Sequence, residues 1–240
     1  MVTFVILLFL MGMVSSFVQR TIGFGFGIVI MTVLPHLMPS YGEATALAGI
    51  LAMVTSGRVV ASKWSLISWR RLLPILAIAT VFSVLSIFFL KGIDDHILRF
   101  VLGFVLIGIS LYFAFLRDRI SIRPTLTAQI TTGTLSGIMG GLFSMQGPPI
   151  VLYLLASERD KEHYLAMVQA YFLLGNAVMT AARGYSGFLT PAVGWGFLAG
   201  LGGVLIGATI GARVFERIPA ARFRIIIYCY IALSGVLVML

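Results

Sequence analysis

The residues able to bind a solute gather at two glycine-broken apolar stretches and on one segment that follows the second. The first stretch is Gln19-Arg20-Thr21-Ile22-Gly23-Phe24-Gly25-Phe26-Gly27. The second runs Gly137-Ile138-Met139-Gly140-Gly141-Leu142-Phe143-Ser144-Met145-Gln146-Gly147-Pro148-Pro149. A break in a helix frees the N–H groups that open the next half-helix, and those groups with the helix dipole suit an anion. Gly147-Pro148-Pro149 reads as such an opening, because a first-turn proline lacks only an N–H that has no helical partner. Backbone N–H groups around Gly25 to Gly27 and at Gly147 are the expected anion cradle. Gly23, Gly140 and Gly141 let backbone approach a ligand or the facing tip; tight helix packing is their competing role.

Side chains add to this set. Arg20 offers a charge-assisted hydrogen bond to an oxyanion, with snorkelling to the interface as the alternative. Ser144 and Gln146 offer a hydroxyl and an amide at the second tip. Gln169 and Asn176 lie seven apart on one predicted helix and share a face; hydrogen bonding between helices is the alternative for both. Arg58 reads as a cytoplasmic anchor and Arg183 as an interface residue.

What is missing narrows the chemistry. Every acidic residue lies at a segment end or in the polar stretch Arg117–Pro124. A cation pore or a carboxylate proton relay would place one inside a span. His36, His96 and His163 are scattered and no Cys/His cluster exists, so neither a metal nor any other cofactor is expected. No nucleophile–base motif supports an enzyme. Cys229 is the one cysteine, which rules out an intrachain disulfide.

Elements long enough to hold these residues must cross a membrane. The 240 residues are 60% hydrophobic and 10% charged, with a mean hydropathy of +1.06. Soluble domains carry about 25% charged residues. About 20 apolar residues make one crossing, so the chain has room for roughly six to eight. The net charge of +9 belongs to loops rather than to a basic face, which excludes nucleic acid as a partner. Val2 to Val14 lacks a basic leader region and reads as mature chain.

Apolar segments fall near 4–38 with a break, 43–62, 72–90, 97–116, 126–157 with a break, 163–182, 192–212 and 222–240. Each half is one broken segment followed by three ordinary helices. The expectation is a single all-α polytopic membrane domain over 1–240, with repeat 1 at 1–116, a cytoplasmic hinge at 117–124 and repeat 2 at 125–240. If all segments cross, the flanking Lys and Arg divide eight against eight. If the fifth enters and leaves on one side, they divide thirteen against three. The positive-inside rule favours the second arrangement. Extending it to the first segment by symmetry gives two inverted repeats, each a re-entrant segment plus three transmembrane helices. A broken single crossing for residues 4–38 is the alternative.

The stretch Ser136 to Tyr153 resembles the second-repeat motif of the sulfite exporter TauE/SafE family of membrane permeases. The likeness includes the first glycine-rich break with Pro35 and the stretch Gly207-Ala208-Thr209-Ile210-Gly211-Ala212-Arg213. Phenylalanines interleave the first break where the family often has consecutive glycines, and Ser144-Met145-Gln146 replaces a more glycine-rich run. The resemblance implies transport of sulfite or a short sulfonate.

The function expected is a permease for a small oxyanion in the cytoplasmic (inner) membrane, with one repeat rocking against the other around a midplane site. A membrane potential negative inside drives anions outward by roughly 2.3 kcal/mol per charge per 100 mV, which favours export. The expected partners are the small anion and the lipid bilayer, with a proton or sodium as coupling ion and a homodimer left open. An anion channel and a non-transport membrane subunit are the alternative functions.

Overall fold

The structure, a computed structural model, describes residues 2–90, 92–94, 96–98, 100–101, 104, 125–158 and 160–219. The hinge 117–124, most of 97–116, the segment 222–240 and Cys229 lie outside them. Among the described residues the chain is helical without strands: α1 (Val2–Ile22), α2 (Phe26–Ile30), α3 (Leu34–Leu37), α4 (Tyr41–Lys63), α5 (Trp69–Leu90), α6 (Leu126–Phe143), α7 (Gly147–Ser157), α8 (Lys161–Tyr185) and α9 (Pro191–Arg217). Among the described residues five stretches are long and apolar enough to cross a membrane: Thr3–Ile22, Tyr41–Leu66, Trp69–Leu90, Lys161–Tyr185 and Pro191–Arg217. Large apolar side chains such as Phe89 and Leu198 stay exposed, as a lipid-facing surface requires.

Local chemistry sets the ends. Ser40 and Glu43 form a capping box at the start of α4, and Thr190 also donates to Glu43. Asp160 caps α8 by accepting from the N–H groups of Glu162 and His163. Pro191 opens α9. Two breaks interrupt the apolar runs. Gly23 and Gly25, with φ of 98° and 104°, end α1 and start α2. Ser144, with φ of 58°, ends α6 and is the one non-glycine residue at positive φ among those described.

Packing exchanges partners between the two halves. Helix α1 packs most extensively on α9, and α6 on α5. Both pairs run parallel and close. Gly203, Gly207 and Gly211 of α9 lie against the carbonyls of Phe9, Met13 and Phe17. Gly137 and Gly141 of α6 lie against those of Ala79 and Ser83, where an added Cβ would sit 2.5 Å from each oxygen. Glycine is needed where backbones approach this closely. Helices α4 and α8 pack on each other between these pairs.

One end of the bundle gathers opposite charges and aromatic rings. Lys63 pairs with Glu162, and Arg71 Nη1 lies 3.3 Å from Glu158. Lys161 donates to the carbonyls of Phe215 and Ile218 at 3.2 and 2.9 Å. The rings of Trp64 and Trp69 stack at 4.9 Å at the same end, as interfacial tryptophans do. Helices α6 and α7 turn back on each other, so that Gln129 Nε2 donates to the Tyr153 hydroxyl at 3.2 Å.

Candidate functional site

The two breaks face each other. A cavity of about 30 Å³ lies between them, lined by Gln19, Phe24 to Ile28, Ala52, Ser144 to Pro148, Phe172 and Asn176. Ala52 and Phe172 stand near the middle of α4 and α8, so the cavity sits midway along the central helices. Its volume holds about one or two waters. A sulfite-sized solute requires the tips to part.

The tips interlock. Gly27 rests against the Ser144 carbonyl, and an added Cβ there would overlap it. Gly147 rests against the Phe24 ring, 3.2 Å from where its Cβ would be. Phe24 is fully buried and Met145 nearly so, which closes the breaks with apolar bulk. Phe26, Gly27 and Ile28 open α2, so no carbonyl within that helix takes their N–H groups. At α7 the prolines Pro148 and Pro149 carry no N–H, which leaves Gly147 to present one.

A buried relay fixes the wall on the α1 side. Gln169 Nε2 donates to the Gly23 carbonyl at 2.7 Å. Its Oε1 accepts from Gln19 Nε2 at 2.9 Å and from Ser56 Oγ at 2.8 Å. Gln19 Nε2 also reaches Ser56 Oγ at 2.9 Å, leaving Gln19 Oε1 without a donor. The relay ties α1, α4 and α8 at one point and sets the amide orientations through the Gly23 carbonyl.

The opposite wall is held differently. The Gln146 carbonyl accepts from Ser136 Oγ, which in turn accepts from the Tyr171 hydroxyl at 2.7 Å. Ser144 Oγ donates to the Thr45 carbonyl at 3.3 Å. Gln146 and Asn176 line the cavity at 7% and 5% exposure, and neither side-chain amide bonds to another described residue. Buried amides are normally satisfied; with Gln19 Oε1, these two amides are side-chain groups of the cavity without a partner among the described residues.

Of the residues singled out in the sequence, Gln19, Gly25, Gly27, Ser144, Gln146, Gly147, Pro148 and Asn176 line the cavity. Gly23 and Gln169 stand behind it through the relay. Gly140 packs under Gln146 and Met179, and Gly141 packs on α5, so both hold helices rather than line the gap. Arg20 turns away from it, with its guanidinium 5.4 Å from the Phe215 ring centre at the basic end.

Arg183 departs from its expected place at the interface. It is fully buried, and Nη2 donates to the carbonyls of Gly140 and Gly141 at 3.0 and 3.1 Å. An arginine near a helix end normally snorkels; here α4 and α6 cover it. The sequence did carry a signal, because Gln169, Asn176 and Arg183 follow a seven-residue spacing along one face. Ser56, Ser136 and Tyr171 hold the walls through hydrogen bonds, and a lone hydroxyl in an apolar helix carries no pattern that marks such a role.

The sequence model described as Sulfite exporter TauE/SafE matches residues 8–238. A probable membrane transporter protein of Methanocaldococcus jannaschii is 24% identical, with the match covering 98% of this chain and 95% of that relative. No solved structure matches the chain.

Proposed function

The chain belongs to the sulfite exporter TauE/SafE family, and from that premise we propose that this multi-pass membrane transporter exports a small organosulfur or related oxyanion. Sulfite and short sulfonates are the intended class, and the cytoplasmic membrane the intended place. The observation that carries the site is the meeting of two helix breaks across one cavity midway along α4 and α8. The N–H groups opening α2, the Gly147 N–H and the amides of Gln146 and Asn176 would hold the oxyanion. Gln19 and Ser144 would shape the pocket around it.

The exchanged packing supports inverted repeats. The first helix of each half packs on the third element of the other half, α1 on α9 and α6 on α5, with α4 against α8 at the centre. On this reading both broken segments are re-entrant, and the end bearing Lys63, Arg71 and Lys161 is cytoplasmic. Alternating access then moves helix groups rather than sequence halves. Rocking one half against the other would tear the glycine contacts of α1 with α9 and α5 with α6. Motion about the α4–α8 seam keeps them, with α1 and α9 on one side and α5 and α6 on the other. A cavity this small fits a carrier better than an open anion channel.

The test is the melting temperature of the detergent-purified chain against sulfite, sulfate, thiosulfate, sulfoacetate, taurine, acetate and chloride. A ligand at 100 times its Kd adds about 2.7 kcal/mol to the native state. A selective rise from one sulfur oxyanion, lost in Gln146→Glu, is the expected result. A folded protein that no anion stabilises, or a Gln146→Glu variant that transports the anion as before, would overturn the reading.

A further inference from the structure

Arg183 is a buried charge with no carboxylate paired to it among the described residues. It is fully buried, and its two carbonyl partners are neutral and both taken by Nη2. Among the described residues Nε and Nη1 have no hydrogen-bond partner, and no ion pair joins Arg183 to a carboxylate. A buried charge without a partner is costly, and intramembrane charges generally pair with one another or face a solute path.

The space beside Nη1 has a defined shape. Gly49 of α4 faces it, and the point that a Cβ on Gly49 would fill lies 3.3 Å from Arg183 Nη1, 3.6 Å from Thr180 Oγ1 and 3.7 Å from Asn176 Oδ1. Nη1 and the Thr180 hydroxyl can donate at this tightly packed point, whereas Asn176 can serve an anion only by turning its Nδ2 toward it, because Oδ1 only accepts. Asn176 belongs both to this cradle and to the lining of the cavity between the tips. Arg183 stands two seven-residue steps from Gln169 on the same face of α8, toward the end of the bundle opposite Lys63 and Lys161.

We propose that Arg183, Thr180 and Asn176, beside Gly49, form a second station for a small oxyanion once α4 and α8 part, between the central cavity and the end away from the basic loops. This rests on the reading that the central cavity carries an anion. The guanidinium supplies the one full positive charge along that face, and so sets preference for anions over zwitterions of similar size. Asn176, shared by both places, passes the solute from one to the other. The bonds to Gly140 and Gly141 hold the guanidinium in place while leaving Nε and Nη1 for the solute.

The experiment measures sodium sulfite binding to the full purified chain by thermal shift, with the zwitterion taurine as comparison, for wild type, Gly49→Ala, Arg183→Gln, Arg183→Lys and Gln146→Glu. Gly49→Ala keeps the arginine's charge but puts a methyl 3.3 Å from Nη1, which narrows the station; it is expected to weaken sulfite at least tenfold. Arg183→Gln is expected to remove the preference for sulfite over taurine, and Arg183→Lys to restore part of it. A purely structural role for Arg183 would lower the melting temperature without ligand and leave the sulfite affinity of the folded variants unchanged. Gly49→Ala binding sulfite as wild type does would overturn the second station. Loss of binding in Gln146→Glu with full binding in Gly49→Ala and Arg183→Gln would leave the central site standing alone. Absence of any sulfite shift in wild type would end both readings. If Arg183→Gln fails to fold, Gly49→Ala and Arg183→Lys decide the question.

Discussion

Gly27 of the first break lies directly against the backbone carbonyl of Ser144 in the second, so the two halves of the chain touch main chain to main chain at mid-bundle. Nothing larger than hydrogen fits on the Gly27 Cα without moving Ser144. Gly27→Ala is therefore expected to wedge the tips apart. The overpacking should cost about 1–3 kcal/mol in stability. Transport should fall further than that loss explains, because the gap would no longer close. Melting temperature and flux into proteoliposomes, measured on the same preparation, separate the two effects. A variant with wild-type flux would show that contact between the tips is dispensable.

The glutamine relay gives a second prediction. Gln169→Leu removes the side-chain donor to the Gly23 carbonyl and one of the two buried acceptors of Gln19 Nε2, the other being Ser56 Oγ. Stranding such groups costs about 1–3 kcal/mol. Gln19→Leu should cost a similar amount, and the double variant less than the sum, since both changes break one network. Additive losses in thermal or denaturant unfolding would mean that the two glutamines act independently.

The parallel pair α1–α9 makes a sharp contrast within one helix. Gly207 lies against the Met13 carbonyl, whereas Gly194 has nothing within 4 Å of an added Cβ. Gly207→Val should destabilise by about 3 kcal/mol or more, because backbone cannot give way as a side chain can. Gly194→Ala should be neutral or stabilise by up to about 1 kcal/mol through helix propensity. Equal melting temperatures for the two variants would refute the close α1–α9 contact.

Asp160 carries a pH signature outside the spans. The His163 N–H, with further bonds from the His163 ring and the Glu162 N–H, holds its carboxyl below the usual carboxylate range, while partial burial opposes this. A depressed folded-state pKa contributes stability that is present above the unfolded value and lost as pH falls through the folded one. Asp160→Ala should cost about 0.5–1 kcal/mol at pH 7, the lower part of the capping range, because the carboxylate is half exposed. The gap between wild type and variant should shrink below about pH 4. A gap constant from pH 7 to 3 would mean that the carboxylate charge contributes nothing to the cap.

Much of the architecture was legible because its causes are local. Ser40 and Glu43 mark the start of α4, Asp160 that of α8, Pro191 that of α9 and Gly147-Pro148 that of α7, each through groups within a few residues of the helix end. The places where α1 and α6 stop follow from Gly23, Gly25 and the run ending at Ser144 for the same reason. Apolar length set the membrane class. Family membership followed from a stretch of sequence that carries its own pattern.

Partners far apart in sequence were decided only by the tertiary structure. Gly141 looks like a site glycine until α5 packs so close that an added Cβ would sit 2.5 Å from the Ser83 carbonyl, and Arg20 looks like a ligand until its helix turns it toward Phe215. Arg183 looks like an interface residue until α6 ends beneath its guanidinium. Phe24, Met145 and Phe172 line the cavity, yet apolar residues in an apolar chain give no sign of it. The sequence by itself determined where each helix begins, breaks and ends, since capping, proline and left-handed backbone act over a turn or two. Only the folded chain decided which breaks meet, which helices exchange partners between the halves and which charge is buried, because those outcomes depend on close packing between segments from 42 to 190 residues apart.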